Sequence, residues 1–325
     1  MNSGILPFKE RIGATSNVEG RRQVTAWRQL LARCGRKPTR KRVHSLRVAT
    51  LRLQSEMEFG LSAQGPDSSF ARVAKRWTKQ AEKLRRSLSL VRETDVYLQK
   101  LTGLRASLAE PGGRQPHSNR DCLRQADQLE RKLRQQRRNA EKRLMAAVKS
   151  RSARLEQISK ELEAASEPLR AKVQAGRAET VLGMFAVLAA EFPELDASRL
   201  HEYRKRIKKV RYLAELFTPA DPRTGRLGAT LRRMQSAIGE WHDWQAMGKL
   251  ASRTLKGHDR TNSLAELLET LAGESLEKAL DLCRRSAARL LRWGGQNGPV
   301  PRPNLEKFPV QSAEAVVAAQ QKKYA

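Results

Sequence analysis

The 325-residue chain carries 64 Lys and Arg against 34 Asp and Glu, a formal net charge of +30 at pH 7. Self-repulsion on that scale works against a compact state, which points to a polyanionic partner and away from an ordinary metabolic enzyme. A hydrophobic fraction of 39% still supplies enough Leu, Val and Ala for packed amphipathic helices, which excludes wholesale disorder.

In chain order, residues 1–20 read as a loose leader. They carry Lys9, Glu10 and Arg11 and show no apolar core followed by a small-residue cleavage site, so no secretory signal is expected. Helices are predicted at about 21–33 and 40–59. Phe70, Val73, Trp77, Ala81, Leu84, Leu88 and Val91 recur at steps of three and four, the stripe of a helix running to about Leu101. Pro111, Gly112, Gly113 and Pro116 mark a break over Gly103–Asn119.

Leu129, Leu133, Leu144, Val148, Leu155, Ile158 and Leu162 then mark a second long helix, and Pro168 is expected to open the next, which ends at Pro193. A helix over about 198–217, a loop through Pro219, Pro222 and Gly225, and two more helices to Trp293 complete a tally of eight. β-branched alternation is nowhere sustained, so the predicted fold class is all-α. Residues 294–325 form a loop and a short segment of uncertain order.

The longest apolar run, Val181–Ala190, has ten residues, half of the roughly 20 that a membrane span needs, so no membrane-spanning helix is expected. Cys34, Cys122 and Cys283 are widely spaced and odd in number, which argues against disulfides and zinc and for a reducing, cytoplasmic compartment.

An internal repeat organises these helices. Val43-His44-Ser45-Leu46-Arg47 aligns with Leu200-His201-Glu202-Tyr203-Arg204 at an offset of 157. At an offset of 150, Arg76 meets Arg226, Lys83 meets Arg233, and Val91-Arg92-Glu93 meets Trp241-His242-Asp243. The domain over about 21–293 therefore reads as four helices repeated, with halves at about 21–165 and 168–293 forming two pseudo-symmetric four-helix bundles.

Arg204, Lys205, Arg206, Lys208, Lys209 and Arg211 put six positive charges into eight residues. His201, Arg204, Lys208 and Arg211 share one helical face, while Ile207, Val210 and Ala214 point elsewhere and anchor the helix. Like charges one turn apart repel, so an anion is needed to neutralise the face. The matching face of the first half carries His44 and Arg47, then Leu51 and Gln54, with Arg52 beside them.

Two further stripes extend the basic surface. Arg72, Arg76, Lys79, Lys83 and Arg86 lie opposite the apolar stripe of their helix, and Arg131, Arg134, Arg138 and Lys142 do so on the next, while on the repeated His/Arg/Lys face as a whole acidic partners one turn away are largely missing. A solvated surface is the plain alternative for any one of these residues, and helix bracing is the plain alternative for His44 and His201. Trp77, Trp241 and Phe217 fall on apolar stripes and are core candidates, so the exposed aromatics typical of single-strand binders are absent. Duplex nucleic acid needs only phosphate contacts and is the alternative partner, as a weak, sequence-nonspecific ligand.

His242-Asp243 lacks the further spaced ligands of a metal phosphohydrolase, His201-Glu202 lacks the second His of a zincin, and no phosphate-binding glycine loop occurs. No catalytic residue, metal or cofactor is expected.

The segments around His44, His201 and Ile238-Gly239-Glu240-Trp241-His242-Asp243 closely resemble the CHAD family, the conserved-histidine α-helical domain, over roughly 20–293. The resemblance implies two pseudo-symmetric four-helix bundles around a basic central cavity that binds inorganic polyphosphate, in some stand-alone members at polyphosphate granules. Relatives usually continue the first motif with paired basic residues, whereas Thr50, Leu51, Arg52, Leu53 and Gln54 retain one cation, so the second half is expected to dominate binding. The E-x-E-x-K signature of the triphosphate-tunnel domain that many relatives carry is not found.

Overall fold

The computed structural model describes residues 23–296 apart from 65–67, 110–115, 173–176, 192–194, 219–220 and 256–261; the predicted leader and the segment beyond 296 lie outside the described residues. Eight helices and no strand occur among the described residues: α1 over 23–36, α2 Arg40–Gln64, α3 Ser69–Ala109, α4 Pro116–Lys172, α5 Arg177–Ala190, α6 Ala197–Phe217, α7 Pro222–Thr254 and α8 Ser263–Gln296. The all-α class follows from the composition, since long runs of Leu, Ala, Glu, Lys and Arg are strong helix formers.

Local signals fix several helix ends. Asp196 caps α6, its carboxylate accepting from the Ser198 and Arg199 amides at 2.8 and 3.0 Å. Asp221 does the same for α7 through the Arg223 amide at 2.8 Å, with Pro222 in the first turn, where its missing N–H costs nothing. The Gln125 side chain on α4 accepts from the Leu264 amide at 2.9 Å and so holds the start of α8 from another helix.

Four predicted boundaries are corrected. α4 opens at Pro116, inside the predicted break, and α7 opens at Pro222, so that Pro222 and Gly225 stand at the start of a helix capped by Asp221 and not in a loop. The other two concern Gly103 and Pro168. α3 runs past Gly103 to Ala109 because Leu101 is fully buried and Leu104 packs beside it against the far half of the chain, which outweighs the roughly 1 kcal/mol helix penalty of one glycine. α4 does not stop before Pro168 but continues to Lys172, so that proline stands near a helix end rather than at a helix start. A proline there gives up one backbone hydrogen bond close to the point where the helix ends anyway, and the apolar stripe through Leu155, Ile158 and Leu162 already holds α4 on its neighbours.

Three cores hold the helices together. One lies within α1–α4, where Trp27 and Trp77 meet edge to face at 5.1 Å and their indole N–H groups donate to Thr50 and Ser159 at 2.9 and 3.1 Å. A second gathers α5–α8 with Phe59 of α2, and Tyr203 donates its buried hydroxyl to the Leu188 carbonyl at 3.1 Å. The third joins the end of α3, the start of α4, the end of α7 and the start of α8 around Leu101, Leu129, Met247 and Leu268. The packing order repeats along the chain: α2 lies on α3 and α3 on α4, α6 lies on α7 and α7 on α8, and α2 meets α6 while α4 meets α8. Trp77, Trp241 and Phe217 are all buried, as their stripes predict.

Candidate functional site

The α2–α6 crossing sets the site. Ile207, Val210 and Ala214 are buried on one side of α6, which leaves the Arg204, Lys208 and Arg211 face turned toward α2 and α3. Arg52 and Glu215 pair across the crossing at 2.9 Å, and Lys209 pairs with Glu58 of α2 at 2.8 Å.

Lys208 stands among like charges. Burial first, then Arg204, Arg47, Arg211 and Arg85, push its ammonium pKa down to about 7. Arg47 is lowered by burial and by Arg204, Arg85 and Arg92, against the opposing pull of Tyr212. Arg204 is lowered by burial, while Asp243 and Tyr212 pull it back. Five cations from α2, α3 and α6 therefore converge, and no carboxylate is among the groups acting on Lys208.

Hydrogen bonding agrees with the electrostatics. The Nε atoms of Arg85, Arg204 and Arg211 are buried without a hydrogen-bond partner in the protein. A buried donor left unmade costs on the order of 1–3 kcal/mol, so three in one cluster of cations mark a place built for an acceptor from outside. Arg47 makes one weak contact, its Nε donating to Ser89 at 3.3 Å. Arg211 lies over the Tyr212 ring at 4.4 Å, with Glu215 3.8 Å from its Nε. Glu215 also accepts from Arg232 at 2.7 Å, so one carboxylate steadies three arginines at the rim.

The histidine motifs frame one end. His201 and His242 stack at 5.0 Å between ring centres, and His242 Nδ1 lies 3.7 Å from Asp243. His201 is held below its ordinary pKa by burial and by Lys205, His242 and Arg204. His44 is lowered likewise by burial, Arg92, Arg47 and Arg40, so both rings are mainly neutral at pH 7. Glu93, raised by burial and Asp243 although Arg47 and His242 oppose the shift, is one of the acids at this end, with Asp243 and with Glu202, which acts on His201. No group of three or more metal-ligating side chains occurs among the described residues.

Gly239 has a packing role here. A Cβ at this position would come within 3.2 Å of the Arg204 guanidinium, so the glycine lets that side chain lie flat on α7.

The predicted residues divide. His44, Arg47, His201, Arg204, Lys208 and Arg211 come together. Arg52, Lys205 and Lys209 are exposed neighbours already paired with Glu215, Glu202 and Glu58. Arg76, Lys79 and Lys83 face outward on α3, Arg76 on Glu161 of α4; Arg226 and Arg233 are the exposed counterparts on α7. Arg131, Arg134 and Arg138 lie on the exposed side of α4, where Arg134 bonds Glu130 at 2.6 Å and Arg138 bonds Gln135 at 3.2 Å. The expected shortage of acidic partners is thus corrected in part, because several come from other helices.

Arg85 and Arg92 belong to the cluster but lie outside the basic stripe that the sequence of α3 marks. They flank the apolar stripe of α3 with Ser89 between them, at i, i+4 and i+7, a spacing that points them to one side of the helix. That spacing was visible; which side meets α2 was not.

The model of the CHAD domain family matches residues 19–252. The chain belongs to the CHAD domain family. That family is known for polyphosphate-related binding, and the matched span contains every group of the cluster. It stops within α7, so α8, which completes the second and third cores, lies beyond it. No curated protein matches the chain. No helix among the described residues is long and apolar enough to cross a membrane.

Proposed function

We propose that this CHAD domain binds inorganic polyphosphate at the α2–α3–α6 cluster and does not turn it over. The observation that carries the reading is the convergence of Arg47, Arg85, Arg204, Lys208 and Arg211 with three buried Nε donors unmet. A phosphate chain offers acceptor oxygens at every unit and no bases to read. Guanidinium forks and a lysine ammonium meet such oxygens by charge-assisted hydrogen bonds, each worth roughly 1.5–3 kcal/mol.

The repeated packing order and the offset motifs support two halves related by a pseudo-two-fold axis, with the cluster between them. Location at polyphosphate granules in the cytoplasm follows from the ligand and belongs to the same proposal. Titration of labelled polyphosphate in competition with unlabelled duplex DNA and RNA, across a series of salt concentrations, tests it. Affinity for polyphosphate should fall linearly in log salt yet exceed that for duplex of equal charge at every salt. Equal affinities would establish the nucleic-acid alternative. Incubation with polyphosphate and Mg²⁺ or Mn²⁺ should release no orthophosphate above a blank, and release abolished by His242→Ala would overturn the binding-only reading.

A further inference from the structure

A second basic site lies away from the α6 face, at the corner where α1 turns into α2. A cavity of about 590 Å³ is lined there by Leu30, Arg33, Arg36, Lys41, Arg42 and Ser45. Four of the six are cations, one is a hydroxyl, and none is an acid. Two other surface grooves make the contrast. In the groove between α3 and α4, Arg76 pairs with Glu161; in the groove between α1 and α4, Arg28 pairs with Glu156. Each of those linings includes the carboxylate that its arginine needs, and the corner lining does not.

The corner is also rigidly built. Arg42 donates Nη1 to the carbonyls of Arg33 and Lys37 at 3.3 and 3.2 Å, which fastens its guanidinium to the end of α1 and leaves donors to spare. Thr39 accepts from the Arg42 amide at 3.3 Å. Arg137 of α4, itself paired with Asp95 at 2.8 Å, donates to the Pro38 carbonyl at 2.9 Å and pins the turn from behind. Arg33, Arg36 and Lys41 stand exposed around this fixed frame. The first turn of α2 holds three bases and no acid, so the helix dipole adds to their repulsion instead of relieving it.

We propose that this corner is a second anion site of the chain, taking phosphate groups of a condensed phosphate between Arg33, Arg36, Lys41 and Arg42, with Ser45 as a hydroxyl partner. The ligand class is taken from the phosphate-chain reading of the central cluster; the cavity and its lining are independent of it. Lys41 and Arg47 stand six residues apart on α2, about 9 Å along its axis. His44 lies between them and Arg40 stands one residue before Lys41, so a long chain seated at Arg47 can follow α2 to the corner, and a short one can occupy the corner alone. The first half thus regains through α1 and the start of α2 the cations that Leu51 and Gln54 do not provide.

The test uses the full chain with inorganic tripolyphosphate and with one long polyphosphate. In a variant carrying Arg204→Ala, Lys208→Ala and Arg211→Ala, tripolyphosphate should still bind one weak saturable site and shift the amide resonances of Lys41–Ser45. Adding Arg33→Gln, Arg36→Gln and Lys41→Gln, all at exposed positions, should weaken that residual binding at least tenfold. Residual binding unchanged by the glutamines, or no saturable binding once the α6 face is removed, would overturn the corner site. In the otherwise native chain, the three glutamines should reduce the slope of log affinity against log salt for the long chain by about 2. An unchanged slope would overturn it too, and this arm does not depend on the α6 variant folding. Tight tripolyphosphate binding that survives loss of the α6 face and vanishes with the glutamines would instead overturn the central reading and leave the corner standing.

Discussion

Helix α3 carries cations on two sides, and the two sides have different environments. Its outer side presents Arg72, Arg76, Lys79, Lys83 and Arg86 to solvent, with Arg76 on Glu161. Its inner side sends Arg85 and Arg92 toward α2 and α6, where Arg85 has a buried Nε without a partner and both act on Arg47. The residue types are the same and the outer side has more of them. What differs is desolvation and company: an exposed cation is screened by water and salt, whereas a half-buried cation facing others gains most from an anion that displaces the missing solvent. Charge number alone is therefore a poor guide to where a polyanion binds on this chain.

The largest break in the comparison should come from the α6 face. Replacing Arg204, Lys208 and Arg211 together by Ala should weaken polyphosphate binding by about two orders of magnitude or more, read by titration with one chain length after circular dichroism confirms the helices. Next, Arg47→Ala with Arg85→Ala should cost about tenfold to a hundredfold, and distinctly more than Arg47→Ala with Arg52→Ala, because Arg52 is exposed and held by Glu215. Equal losses from the two pairs would show that Arg85 does not belong to the site.

Acidity sharpens the same contrast. In the free protein Lys208 titrates at about 7, below its unfolded value near 10.4, so the folded state holds fewer protons between these limits. Its destabilising contribution is full below pH 7 and is relieved as pH rises through that window. A bound phosphate favours the ammonium and works in the opposite sense, so affinity should fall as pH rises from 7 to 9, by at most tenfold per unit. Lys208→Arg should flatten this profile, whereas a profile unchanged by that substitution would remove Lys208 from the site. The smallest effect belongs to the outer side of α3: Lys79→Ala, Lys83→Ala and Arg86→Ala together should change affinity about threefold or less and mostly lower its salt dependence. A loss matching that of the α6 triple would reverse the comparison.

The apolar stripes determined much of this from sequence alone. Spacing of three and four placed Trp77, Leu84, Leu88, Leu144 and Leu155 in the core, and the Ile207, Val210 and Ala214 side of α6 left one face for Arg204, Lys208 and Arg211, because a helix fixes which residues share a side. The repeat of His44-x-x-Arg47 at His201-x-x-Arg204 likewise marked two positions that the fold brings together. The rest was set by how the helices pack on one another. Gly103 and Pro168 read as breaks, yet the helices pass through both, at Gly103 because packing of buried Leu101 outweighs the local penalty and at Pro168 because the helix ends four residues further on. The acids that neutralise Arg52, Arg76 and Lys209 lie on other helices, at separations that no local spacing reveals. Arg85 was distinguished from Arg86 by one residue's rotation about α3, about 100°, and which of the two is drawn into the cluster depends on where α2 and α6 pack.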